Sequence, residues 1–309
     1  MAKEGDVQNA PVLVSLISTV IINGISCPLI VLLNVLVIMA VKRRPRIQTN
    51  TNILLACLAA TDAVLTGLLV QPSFILWITL KLLGNASQET AHAARFHDFF
   101  LRTAFMCSSL LMLVTGERLI AIKFTMRYPY VVTTQKIKYA VMLCWILAIT
   151  WGITVMLAYF YTENLSLYLN FPLAIILISC VLFITCSYVI LYRETLRQRK
   201  KMKTQQLLPE EVERFAKESK ALKTTVYVVG AVVICLLPAA FYILWIVSLP
   251  PDLKPTTLKL FYAYTPWISN FGILNSLLNP LIYCWRQKEM RKFVFRFQSR
   301  QVVLPVNLS

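Results

Sequence analysis

The sequence predicts an all-α membrane protein: a seven-transmembrane helix bundle with a short amphipathic eighth helix on the inner leaflet. Three observations carry this. Of 309 residues, 58% are apolar or aromatic and only 15% are charged, against about 25% charged in soluble domains. The apolar residues gather in runs longer than the roughly 20 that cross a hydrocarbon core about 30 Å thick. The cations fall in clusters between those runs, and the clusters alternate between the two sides. A net charge of +17 arranged this way marks helix ends and not a nucleic-acid groove, so no nucleic-acid partner is expected.

Each helix follows from its own run. Pro11 to Val41 contains no charged residue and predicts a first helix over about 11–41. Ile47 to Leu80 contains one, Asp62, and predicts a second over 50–79. The third, over 91–123, is less apolar: its uncharged stretch, Thr103 to Gly116, is 14 residues flanked by Asp98, Arg102, Glu117 and Arg118. A weakly apolar helix among strongly apolar ones is expected to be the enclosed one. Tyr139–Thr162, Asn164–Tyr192, Thr224–Pro251 and Leu260–Trp285 are uncharged and predict helices over 138–161, 168–197, 218–249 and 257–285. Beyond Trp285, Met290, Phe293, Val294 and Phe297 recur at i, i+3, i+4 and i+7 among five cations. That pattern predicts an amphipathic helix over 286–298, lying on anionic lipid. Residues 1–10 form an extracellular N-terminus and residues 299–309 a cytosolic tail.

Orientation follows from Lys and Arg. With the N-terminus outside, 25 of the 31 cations lie on inner segments, which predicts a multi-pass plasma-membrane chain with a cytosolic C-terminus. Met1 to Ala10 shows no basic patch before a short apolar core, so no cleaved signal is expected. The sequons at Asn85 and Asn164 fall in predicted outer loops and are candidate glycosylation sites. All eight cysteines lie within or at the ends of helical runs, where they read as small apolar packers and not as outer-loop disulfides.

Polar groups in the spans are expensive and therefore informative. A charge at bilayer depth costs about 2.5–3.5 kcal/mol on insertion scales. Asp62 has Asn34, Asn275, Ser276 and Asn279 as polar company at similar depth. Two readings of Asp62 stand open: a protonated acid in a satisfied network, or a hydrated ion or proton site. At the inner end, Glu117-Arg118 closes the third helix and Glu218 opens the sixth, so Arg118 could pair across the mouth with Glu218 as a two-state element. Tyr188 and Tyr283 fall near the same level. Pro238 and Pro280 each remove a backbone hydrogen bond in mid-span and permit kinks.

These residues match a family. Asn34, Leu58-Ala59-Ala60-Thr61-Asp62, Trp145, Glu117-Arg118-Leu119, Cys235-Leu236-Leu237-Pro238 and Asn279-Pro280-Leu281-Ile282-Tyr283 fall in the order of a rhodopsin-like (class A) G-protein-coupled receptor. The chain resembles that family over essentially its full length. The stretch Arg127-Tyr128-Pro129-Tyr130 and the missing outer cysteines resemble the adenosine, melanocortin and cannabinoid branch. Departures are Leu119 for a tyrosine, Leu236 for a tryptophan, and Cys107 where relatives often place a serine near a sodium-binding aspartate.

The resemblance implies a receptor and not an enzyme, with an extracellular ligand, a heterotrimeric G protein, arrestin and membrane lipids as partners. It implies that Glu117, Arg118, Tyr188, Glu218, Pro238, Asn279, Pro280 and Tyr283 form the switch. It also implies that Asn34, Asp62, Cys107, Asn275, Ser276 and Asn279 form an ion or hydrogen-bond network, with sodium at Asp62 as its one cofactor. The ligand set is expected among Gln71, Phe96, Phe100, Thr103, Phe241, Trp245 and Trp267, with His97, Asp98 and Arg102 as polar options. Mostly aromatic, it suits a lipid, an apolar small molecule or a peptide side chain. Phe100 in place of an amine-binding aspartate argues against monoamines, and the absence of lysine between Lys259 and Lys288 excludes a retinal Schiff base. Two alternatives stay open: a constitutively active or non-signalling receptor fold, and a small transporter.

Overall fold

The computed structural model describes residues 10–84, 88–124, 127–161, 169–204, 230–245, 248, 254–286, 290–291 and 293. Among them lie seven long helices: α1 (Ala10–Arg43), α2 (Asn50–Leu82), α3 (Gln88–Lys123), α4 (Thr134–Tyr161), α5 (Asn170–Thr204), α6 (Gly230–Trp245) and α7 (Lys254–Arg286). The described residues contain no strand. Helices α1 to α5 are each long and apolar enough to cross a membrane. The described part of α6 is a shorter apolar helix, and α7, at 33 residues, spans about 50 Å at 1.5 Å per residue. The molecule is a seven-helix membrane bundle. The end carrying Lys42, Arg43, Arg118 and Lys123 is its basic end, and the opposite end is the far end.

Boundaries differ from the expected ones by a few residues, mostly because polar last turns stay helical beyond the apolar run. Helix α5 continues to Thr204, not 197, through a basic stretch whose backbone bonds are made within the helix. The first part of the sixth helix, residues 218–229, the sequons at Asn85 and Asn164, residues 1–9 and the tail lie outside the described residues. So does most of 286–298. Its described positions show Met290 fully buried in the main apolar core and Phe293 packed against that core, with the Arg44 guanidinium 5.9 Å from the Phe293 ring centroid. The apolar stripe begins on the bundle itself.

Helix α1 packs along α2 and α7, while α3 packs along α2, α4 and α5. Among α1 to α5 the most enclosed helix is α2, not α3: 61% of its most apolar stretch is buried, against 39% for α3. Weak apolarity misled here because the polar residues of α3 sit mainly in its far half, part of which faces outward, whereas α2 is wedged among α1, α3 and α7.

Three glycines let helices approach, one of them Gly152 of α4, which lies against Thr103 and Phe99 of α3. A Cβ on Gly67 would sit 2.6 Å from Val31 Cγ2, and one on Gly272 would sit 2.7 Å from Phe105 Cε1. Small residues at such crossings are how membrane helices gain contact without a hydrophobic driving force.

Two helices depart from α geometry at the same depth. From Asp62 to Val70, α2 is a π-helix, with Gln71 N–H bonded to Thr66 O five residues back. In α3, Ser108 N–H bonds Phe105 O and Leu111 N–H bonds Ser108 O, a tighter i→i+3 turn. π turns are frequent at functional sites, and a tight turn in mid-helix often marks a hinge.

Candidate functional site: a buried acid between α1, α2, α3 and α7

The irregular segments surround Asp62, which is 7% exposed. Its Oδ1 accepts from Ser276 Oγ at 2.7 Å and its Oδ2 from Asn279 Nδ2 at 3.1 Å. Since the Ser276 hydroxyl spends its hydrogen on Asp62, Thr66 Oγ1 donates to Ser276 Oγ at 3.0 Å. Asn34 Nδ2 donates to Ser276 O at 3.1 Å and to Ile30 O at 2.9 Å. One carboxylate thus ties α2 to α7 beside Pro280, and one serine ties α7 back to α1 and α2.

A cavity of about 30 Å³ adjoins the acid, lined by Asp62, Thr66, Cys107, Ser108, Asn275 and Ser276 and closed on one side by Leu236. That volume holds a water or two or a small ion. Three buried carbonyl oxygens in this layer, Asn34 Oδ1, Asn275 Oδ1 and Asn279 Oδ1, have no hydrogen-bond partner. A carboxylate with surplus hard oxygens and few donors suits water or a hard cation. Of the six residues expected here, Cys107, Asn275 and Ser276 line the cavity with Asp62, while Asn34 and Asn279 attach through hydrogen bonds. Thr66 and Ser108 were not anticipated. Thr66 lies four residues after Asp62, but no sequence signal marks the irregular turn that admits Ser108.

At the basic end, the Glu117 carboxylate is buried and spoken for. Both its oxygens lie 2.9 Å from the donating Thr51 Oγ1, and Oε1 also accepts from Tyr128 OH at 2.5 Å. Tyr128 opens a four-residue helical turn, Tyr128–Val131, whose last carbonyls are capped by Lys136 Nζ. Burial and the neighbouring Glu117 push the Tyr128 phenol up to about 12, so it stays a donor. Arg118 Nε is 3.9 Å from Glu117 Oε2, too far for a hydrogen bond. It lines a second small cavity with Thr51, Tyr188 and Tyr283. Pro238 lies in α6 beside the fully buried Ala239 and Ala240. Glu218, the expected partner of Arg118, is outside the described residues.

Among the described residues, the expected ligand set is not gathered into one cavity. Gln71 is sealed and donates from Nε2 to Ser26 Oγ of α1 at 2.6 Å. Thr103 donates to Phe99 O and sits at the α3–α4 crossing, against Gly152. Phe96 is 49% exposed and Phe241 61% exposed, so both turn largely away from the core. Trp245 is exposed as well, and Trp267 donates from Nε1 to Ser15 Oγ of α1 at 2.7 Å. Of the five aromatic candidates, Phe100 is the one that packs inward, against the cluster of Ile30, Val70 and Ile273. Among the polar options, Arg102 Nε is 2.6 Å from Asp98 Oδ2. His97 is buried, stacked on Trp77 at 5.5 Å and 3.3 Å from Ser73 Oγ.

A family model described as "7 transmembrane receptor (rhodopsin family)" matches residues 33–283. The chain is 27% identical to adenosine receptor A2a of Cavia porcellus over 310 residues, covering 89% of this chain and 71% of that one. It is 28% identical to adenosine receptor A2a of Homo sapiens, with 89% and 70% covered. It is 26% identical to the alpha-1D adrenergic receptor of Homo sapiens, covering 85% of this chain but about half, 53%, of that receptor.

Proposed function

Because the chain belongs to the rhodopsin family of seven-transmembrane receptors, we propose that it carries the binding of an extracellular ligand to a heterotrimeric G protein at its basic end. That end then faces the cytosol, at the plasma membrane, with the N-terminus outside. The observation that carries this reading is the pair of hydrogen bonds that Asp62 accepts from Ser276 and Asn279. It clamps α2 to α7 immediately before Pro280, and Tyr283, one turn on, lines the same crevice as Arg118 and Tyr188. One buried acid is thereby joined through a kinkable segment to the inner mouth.

Activation is then a shift between two bundle conformations. The sixth helix pivots at Pro238, α7 gives at Asn279-Pro280, and Arg118 is released to the crevice while Tyr188 and Tyr283 turn inward. Cations around the mouth receive the G protein, with arrestin competing for the same surface, and the residues after α7 rest on anionic lipid. Asp62 would hold a sodium ion, with hard oxygens from Asn275, Ser108 and Ser276 and a poorer ligand in Cys107 than a hydroxyl; the ion would supply a charge that neutralises the buried carboxylate.

The relatives' names point to adenosine and adrenergic ligands. Asp98, at the level of the candidate residues in α3, is engaged by Arg102, which disfavours it as an amine anchor. A lipid, an apolar small molecule or an aromatic peptide side chain suits Phe100 and its surroundings better.

The test is basal and ligand-screened G-protein activation in cells for wild type, Glu218→Ala and Asp62→Asn. A wild-type signal that rises with Glu218→Ala and shifts with Asp62→Asn supports the reading. Protein well expressed at the surface but silent with every G-protein class would overturn it in favour of a non-signalling receptor fold.

A further inference from the structure

Along the seam shared by α1, α2 and α7, buried and half-buried polar side chains fall into two layers. The lower one holds Asn34, Asp62, Thr66 and Ser276. The upper one holds Asn23, Ser26, Gln71 and Asn270: Asn23 Nδ2 donates to Asn270 Oδ1 at 2.7 Å, and Gln71 Nε2 donates to Ser26 Oγ at 2.6 Å. Asn23 and Gln71 are completely sealed from the surface. Between the layers, Ile30 of α1, Val70 of α2 and Ile273 of α7 pack together, each nearly or fully buried.

Helix geometry sets the spacing. Ile30 lies seven residues after Asn23 and four before Asn34, and Ile273 lies three from both Asn270 and Ser276. At 1.5 Å per residue, each polar layer is about 5–10 Å from the apolar one along α1 and α7, whereas on α2 the apolar and upper layers adjoin. The cavity at Asp62 ends on this apolar layer, for Val70, Leu101 and Ile273 are among its lining residues. Gln71, the next residue after Val70, already belongs to the upper layer. Phe100 and Leu101 pad the same apolar cluster, so the way from the far end is dry on the α3 side as well.

The upper layer is not self-sufficient. Gln71 Oε1, an acceptor, and Asn270 Nδ2, a donor, are buried without partners. Water supplies both roles at once. Amide and hydroxyl oxygens are also the ligands a hard cation accepts.

We propose that Asn23, Ser26, Gln71 and Asn270 form a second hydrated site, which takes water and a partly hydrated monovalent cation, and that Ile30, Val70 and Ile273 are a dry gate between it and the Asp62 cavity. The ligand class rests on the reading of Asp62 as a cation site. An apolar constriction of this kind blocks ions by staying dewetted. One hydroxyl added to its wall is enough to change that.

Cys107 lines the cavity beneath the gate and serves as the reporter. The full chain, in membranes, is exposed to Ag⁺, a thiophilic monovalent cation. Blocking of each cysteine is then read by mass spectrometry of the peptides after unfolding and maleimide labelling. The other seven cysteines show whether a variant keeps its fold. Val70→Thr and Ile273→Thr, which add a hydroxyl with little change of shape, raise the Cys107 rate at least tenfold; Val70→Leu does not. Gln71→Leu lowers it about tenfold. Threonine variants that react no faster than wild type overturn the gate, and an undiminished rate in Gln71→Leu overturns the upper site. Slowing of the wild-type reaction by NaCl, but not by N-methylglucamine chloride, tests the cation reading alone. Its absence removes the cation while leaving the threonine result to judge the gate.

Discussion

The Asp62 layer and the far-end aromatic set were both read from residue type and depth, yet the bundle treats them differently. Polar residues of α2, α3 and α7 converge on one cavity of about 30 Å³, and Asn34 of α1 joins them through its bond to Ser276 O. The aromatic residues scatter, with Phe241 and Phe96 turned largely outward. The difference is physical. A carboxylate or amide in hydrocarbon must find partners, because leaving it bare costs several kcal/mol, so depth alone locates its neighbours. An aromatic ring is at home in lipid, and its presence in a span says nothing about the face it occupies.

That contrast can be broken by substitution, and Asp62 offers the largest effect. Asp62→Leu leaves Ser276 Oγ and Asn279 Nδ2 without their acceptor, which costs about 3 kcal/mol at roughly 1–3 kcal/mol per buried unsatisfied group. Thermal unfolding in detergent measures it. Asp62→Asn keeps the shape and should abolish any rise of the midpoint with NaCl.

Next comes Gly272→Ala, which forces a Cβ to within 2.7 Å of Phe105 Cε1. Overpacking of this kind costs about 1–3 kcal/mol, and Phe105→Leu in the same chain should recover most of it. A non-additive double-mutant cycle would confirm the contact, whereas simple additivity would show that the ring moves freely.

Tyr128→Phe removes one of two donors to Glu117 and is expected to cost about 1 kcal/mol while raising basal signalling. Its alkaline signature has a definite sign. The phenol rises from 10.0 to about 12 on folding, so its contribution is complete below pH 10 and is lost as pH climbs toward 12. The Phe variant should lack that loss in a pH-dependent unfolding series.

Phe241→Ala should have the smallest effect, under about 0.5 kcal/mol, as for an exposed site. If it matched Asp62→Leu, the comparison between the two regions would collapse. Replacing Phe100 and Trp267 together tests the remaining ligand candidates: an unchanged response to an agonist, once one is identified, removes them.

Much of the architecture was legible because the bilayer enforces it. Uncharged runs longer than 20 residues can do little else than span, and Asn34, Asp62, Ser276 and Asn279 could be grouped from depth and cost alone. Less legible was anything that depends on helix rotation. Gln71 was expected to face a ligand and instead bonds α1, because the π stretch before it changes the face it presents. Thr103 was expected in the ligand set and instead sits against Gly152, since one face of α3 belongs to α4. Ser108 joined the cavity through an i→i+3 turn that no residue pattern announces. The enclosure of α2 was missed because apolarity reports tolerance of lipid, not contact with it.

The π-helical stretch from Asp62 to Val70 has one more consequence, for insertions and deletions. Each i→i+5 turn holds about one residue more than an α turn, and each extra residue lags the helix face by about 100°. Losing a residue there would therefore act as a change of direction more than of length. The near half of α2 would keep Thr51 at Glu117, while the far half would swing Gln71 off Ser26 and Ser73 off His97. Aligned against a relative with a straight second helix, this chain needs a one-residue gap inside 62–70, or every far-half position of α2 is compared with the wrong face.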